Sequence, residues 1–369
     1  MEILQGLMDP GKWVVFGKSA ALFIVVLGAL VFFHELGHFL VARACGVTVV
    51  TFSLGFGPKM LTRQRGDTQY CLSLIPLGGY VRMLGDDPSE VVAPEARERA
   101  FSTQATHKKC AIVVAGPGFN FILALVLFAM VYMFGVPVLT PHIGEVMKDS
   151  AAEAGGIKAG DTILSIEGAP ITEWEQLADT LQKTGGKEVA FLVERDGAQI
   201  PLHLTPVRQE TTDLFGDTQT LWRIGVQPKG TQITRRYNPI MALWMGAQKT
   251  WEMSVLNVVS IFKMIQGKIS SDNIGGPILI AQMASQQAAQ GLLNVILFTA
   301  VISVSLGVMN LFPVPILDGG HLFFFLIEGA LGRPLKLRTK EMASQAGLAL
   351  LLLLMGFALY NDIMRLLTK

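Results

Sequence analysis

The apolar run from Ala20 to Ala42 is about the length that crosses a bilayer as a helix, yet it carries His34-Glu35-Leu36-Gly37-His38. Ionisable groups at that depth are expensive, so they mark a functional site. Residues four apart share a helix face, which lets His34 and His38 present both imidazoles to one metal ion. Zinc is the metal expected. Glu35 lies one step round the turn, where it reaches a water at the metal as general base rather than the metal itself.

The rest of the chain fits the same environment. Hydrophobic residues make up 51% of 369, well above the share of an ordinary soluble domain, which predicts a membrane protein. A net charge of +1, without a basic patch interleaved with aromatics, sets nucleic-acid partners aside. Cys45, Cys71 and Cys110 are odd in number and unpaired in spacing, so reduced thiols are expected. The first apolar segment is too long for a signal-peptide core and is expected to be retained behind a short amphipathic lead-in, Met1 to Ser19.

Three further segments are apolar and charge-poor enough to span: Cys110 to Leu139, Gly291 to Leu317, and about Met342 to Tyr360. Between the first two spans, alternating stretches at Val47 to Leu54 and Thr68 to Ile75 read as a β-hairpin beside the site. Its turn signals are Gly55-Phe56-Gly57-Pro58 and Leu77-Gly78-Gly79-Tyr80. Within the second span, Gly116-Pro117-Gly118-Phe119-Asn120 has two readings. Its small residues allow close helix packing, and Asn120 can line the site and hydrogen-bond a substrate carbonyl or oxyanion.

The predicted architecture is a polytopic α-helical membrane protein of four transmembrane helices. It carries a membrane-associated β-hairpin region and one inserted α+β domain. The expected divisions are residues 1–140, an inserted domain at 141–230, an amphipathic connector at 231–290 lying on the outer membrane face, and 291–369. Spans one and three run in the same direction, so Asp318, just past span three, returns to the side of His38. Flanked by Pro313, Pro315, Gly319 and Gly320, its carboxylate is expected as the third ligand, leaving a fourth position for water. The other reading of Asp318 is an N-cap for a helix starting at His321, and both can hold together. His321 is expected in an outer, supporting role. Basic residues between spans one and two, and from Arg333 to Lys340, place both loops in the cytoplasm, the site toward that side and the inserted domain outside.

Two resemblances add to this. Residues Gly155 to Gly168 (GGIKAGDTILSIEG) resemble the signature of PDZ domains. Trp174 to Leu181 is then the domain helix, Val189 to Glu194 and Gln199 to Thr205 are strands, and Arg223 to Val226 is a carboxylate-binding loop of a circularly permuted copy. Taken together, the HELGH motif, Gly116 to Asn120, and Asn310 to Gly319 resemble the bacterial site-two protease family over nearly the whole chain. That resemblance implies an intramembrane zinc metalloprotease of the bacterial inner membrane, with His34, His38 and Asp318 as ligands and Glu35 as base. It further implies that Asn120, Asn310 and the Gly78-Gly79 strand hold an unwound substrate. The partners it implies are the lipid bilayer and transmembrane substrates, such as a membrane-bound anti-sigma factor already cut once, or remnant signal peptides. Family members with two tandem PDZ domains exist, and this chain has room for one. A metal transporter would use intramembrane His and Asp without needing Glu35, and a silent PDZ scaffold would not need the four site residues.

Overall fold

The computed structural model describes residues 10–87, 92–212, 217–268 and 275–368. In chain order, helix α1 (Pro10–Ala44) leads into strands β1 (Val49–Arg65) and β2 (Thr68–Met83), then helix α2 (Thr106–Phe134). A β-rich segment follows: β3 (Val136–Leu139), β4 (Ile143–Val146), α3 (Ala151–Ala154), β5 (Thr162–Ile166), β6 (Ala169–Pro170), α4 (Trp174–Thr184), β7 (Val189–Arg195) and β8 (Ala198–Leu204). It ends with β9 (Val207–Thr212), β10 (Thr218–Arg223), β11 (Val226–Pro228) and β12 (Gln232–Arg235). Helices α5 (Pro239–Ile265), α6 (Pro277–Gln290), α7 (Leu292–Leu311), α8 (Asp318–Leu331) and α9 (Leu337–Thr368) complete the chain. It divides into two compact units, one formed by 132–238 with 263–269 and the other by the remainder.

Four helices among the described residues are long and apolar enough to cross a membrane: Ala20–Ala44, Thr106–Phe134, Leu292–Leu311 and Leu337–Leu367. Two of the expected spans end earlier than the absence of charge suggested. The second stops at Phe134, because Gly135 takes φ 124° and Val136 to Leu139 turn into β3, which pairs with β12. The third stops at Leu311, where Pro313 and Pro315 cannot continue the ladder of backbone bonds.

The expected surface connector is also more built-in. Helix α5 lays Gly246 against the Leu125 carbonyl of α2, with Ala242, Gly246 and Thr250 buried, and α6 supplies a second packed helix. The carboxylate of Asp362 on α9 accepts hydrogen bonds from the Gly276, Ile278 and Leu279 backbone N–H groups, which satisfies the otherwise unpaired donors at the start of α6.

The hairpin is longer than its alternating stretches and folds over on itself. Its strands pair antiparallel near the tip, from Arg65↔Thr68 to Lys59↔Ser73, and again at the base, from Leu54↔Gly79 to Val49↔Met83. Gly55 and Gly57, at φ 88° and 85°, bend β1 so that Thr51 to Leu54 also lies beside Gln69 to Leu72. Two strands thereby make four strips, with Gly79 to Met83 on one edge. Phe39 of α1 packs its ring against Phe52 and Tyr70, fixing this sheet to the helix that carries the histidines.

In the β-rich unit, β6-β5-β7-β8 form one sheet and β4 pairs with β11. Ile143, Ile163, Ile166, Leu177, Phe191 and Val193 fill its core. Helix α4 buries Leu177 and Leu181, four apart on one face, and ends at Gly185 in the left-handed region.

Candidate metal centre

The centre is assembled from α1, α2 and the start of α8. Gly37 lets α1 approach α2 closely, since a Cβ there would run into the Ala115 carbonyl. That approach seats both imidazoles over Gly116, where any Cβ would collide with His38 Nε2 and His34 Cε1. His34 and His38 are buried.

Asp318 arrives from the break between α7 and α8. The Val314 N–H bonds the Phe312 carbonyl and the Leu317 N–H bonds that of Val314, closing a tight turn. Gly319 and Gly320 pack so tightly on this turn that side chains there would strike the Leu311, Phe312 and Val314 carbonyls. Asp318 is therefore the first residue of α8, Leu317 is the N-cap, and no side chain caps it. The capping reading of Asp318 does not hold. Its carboxylate turns to the histidines instead.

Asp318 Oδ2 lies 3.1 Å from His34 Nε2 and 3.4 Å from His38 Nε2, and the two Nε2 atoms are 3.2 Å apart. Ligands about 2.0–2.1 Å from a tetrahedral ion stand about 3.3 Å from one another, so His34, His38 and Asp318 are spaced such that they could hold one zinc ion. The protons agree with this. His38 Nδ1 stands 2.8 Å from the Ile112 carbonyl, which only accepts, so Nδ1 carries the hydrogen and Nε2 presents a lone pair inward. Asp318 Oδ2 is buried without a hydrogen-bond partner among the described residues. Lone pairs converging in a buried space call for a cation, and two imidazoles with one carboxylate form the donor set of a catalytic zinc with one open position.

Glu35 is half-buried beside this centre and next to the hairpin edge at Gly79. A Cβ at Gly79 would lie 3.2 Å from Glu35 Cγ and 2.8 Å from the Ser53 carbonyl, so glycine lets the sheet edge reach the site. Gly78, at φ 152°, sits against the Phe56 ring in the same strip. Asn120 is fully buried, its amide 3.1 Å from His34 Nδ1. It faces His34 Nδ1, the ring nitrogen opposite the Nε2 that lies near Asp318. Asn310 is half-buried in the last turn of α7 and makes no side-chain hydrogen bond among the described residues. The His321 side chain is exposed, so it does not support the ligands. The sequence reading missed Ile112, Gly116 as a seat for imidazoles, and Ser303, whose hydroxyl donates to the Asn120 carbonyl at 2.7 Å. The i, i+4 spacing of residues 112, 116 and 120 was the available signal.

Residues 22–354 match the sequence profile of peptidase family M50. The chain belongs to that family. It is 38% identical over 355 residues to a Rhizobium meliloti protein named as a candidate zinc metalloprotease, covering 92% of this chain and 95% of that one. It is 33% identical over 448 aligned positions to the regulator of sigma-E protease RseP of Salmonella typhimurium, covering 94% and 99%. The Escherichia coli RseP is 32% identical, covering 94% and 98%. Alignments of 448 positions against 369 residues mean that these two relatives carry extra sequence, about the size of a small domain. This M50 chain is a membrane-bound zinc metalloprotease of the site-two type.

Proposed function

We propose that this peptidase cuts peptide bonds within transmembrane segments, with His34, His38 and Asp318 holding zinc and Glu35 as general base. The observation that carries the reading is the set of ligand separations, 3.1, 3.2 and 3.4 Å, beside a glutamate and an open sheet edge. Bound there, zinc acidifies a water and polarises a peptide carbonyl. Glu35 takes the proton from the attacking water and delivers it to the leaving nitrogen as the C–N bond breaks.

A transmembrane helix keeps its carbonyls in internal bonds, so it must unwind before it can be cut. The strip from Gly78 to Val81 offers a pairing edge beside Glu35, where an unwound segment adds as a strand and recovers part of the lost bonding. Asn310 contacts the same segment from the α7 side. Exposed Phe56, Met60, Leu61, Leu72 and Leu74 give the folded hairpin an apolar surface toward lipid.

The β-rich unit acts as a single PDZ domain outside the cytoplasmic face of the inner membrane. Its sheet and the α4 helix support this reading, as does the loop from Arg223 to Val226, where Gly225 adopts φ 80°. It excludes bulky ectodomains, so substrates such as an anti-sigma factor arrive already trimmed. Purified protein should cleave a single-span reporter, lose that activity to a chelator and regain it with zinc. Cleavage indifferent to chelation would overturn the reading.

A further inference from the structure

The zinc site leaves one buried group unexplained. Asn120 is wholly enclosed, its backbone carbonyl is held by Ser303, and its Oδ1 has no hydrogen-bond partner among the described residues. Its amide nitrogen stands 3.1 Å from His34 Nδ1. For His34 Nε2 to present a lone pair to the metal, the imidazole proton must sit on Nδ1, which then needs an acceptor. The oxygen and nitrogen of a carboxamide occupy nearly the same volume, and exchanging them turns the orphaned oxygen toward that proton.

We propose that Asn120 is a positioning residue that accepts the Nδ1 proton of His34 through its amide oxygen and so fixes His34 with Nε2 toward the metal. Helix α2 then treats the two histidines alike. The Ile112 carbonyl fixes His38, the Asn120 amide fixes His34, and Gly116 between them leaves room for both rings. Residues 112, 116 and 120 form one stripe whose work is to hold imidazoles. Asn120 acts through His34 and does not touch substrate.

The inference rests on the zinc reading, and the test separates the two. Full-length wild type, Asn120→Asp and Asn120→Leu are purified, checked for equal helicity, and titrated with a graded chelator. Their cobalt-substituted forms are compared by visible absorption. Asp accepts a hydrogen bond but donates none, and Leu does neither at similar size. The expected result is that Asn120→Asp keeps wild-type metal affinity and spectrum, while Asn120→Leu loses about 10–100-fold in affinity and its cobalt band changes. If Asn120→Asp falls as far as Asn120→Leu, the side chain donates or merely packs, and the proposal is overturned. Wild-type affinity in Asn120→Leu overturns it equally. Wild type that binds no metal at all refutes the zinc reading itself.

Discussion

Asp161 in the β-rich unit and Asp318 in the membrane unit are both carboxylates withdrawn from water, and their surroundings are opposite. Asp161 is fully buried, and Arg195 grips both of its oxygens at 2.7 Å through Nε and Nη2, while the Lys158 backbone N–H adds a third bond at 2.8 Å. Burial pushes the Asp161 carboxyl up, but the Arg195 guanidinium and the Lys158 N–H outweigh it and hold the group below its usual range. Among the described residues Asp318 Oδ2 has no such donors, and it faces the Nε2 atoms of two imidazoles. A buried acid with both oxygens hydrogen-bonded serves the fold. One left open toward other acceptors waits for a cation.

The comparison breaks most readily at Asp318. Asp318→Asn should weaken zinc binding by more than the about 10–100-fold that loss of an outer hydrogen-bond partner brings, and abolish reporter cleavage. Metal analysis of the purified variant checks it, and zinc held at wild-type level would place the ligand elsewhere.

Asp161→Ala should do the reverse, keeping zinc while lowering the stability of the β-rich unit, because the Arg195 guanidinium and the Lys158 N–H lose their shared acceptor. Denaturant unfolding measures that. With a folded pKa below the unfolded value of about 3.9, Asp161 contributes stability that is present above pH 4 and lost as pH falls through the folded pKa. Asp161→Asn should therefore flatten the acid limb of the stability profile, and an unchanged limb would show that another group carries it.

Gly79→Val pushes the sheet edge away from Glu35. Displacing a reacting group by about 1 Å costs about 100-fold in rate, so cleavage should drop by that order while zinc content stays at wild type. Unaltered cleavage would remove the strand-addition step. The smallest effect is expected from Ser303→Ala, which deletes one buried hydrogen bond to the Asn120 carbonyl. A loss of about 1 kcal/mol in thermal or denaturant stability, with near-normal activity, is the anticipated outcome.

Much of this was legible in the residues because the strongest constraints were local or set by span length. His34, Glu35 and His38 share one helix turn, and the parity of the spans brought Asp318 back to their side. Other features depended on tertiary partners. Val136 to Leu139 are apolar enough to extend a span, and only their pairing with Gln232 to Arg235 makes them a strand. The bend at Gly55 and Gly57 doubles the hairpin through contacts that alternation cannot reveal. That Asn120 lies beside His34 Nδ1 was likewise hidden, because it depends on α2 packing against α1 at Gly37.

Glu35 is the residue on which the proposed hydrolysis depends most directly. Wild type and Glu35→Gln are purified side by side, their zinc is counted, and each is given the same single-span reporter. Equal zinc in both, with cleavage reduced about 10²–10⁴-fold in Glu35→Gln, is the predicted result. Equal cleavage by the two proteins at equal zinc would contradict it.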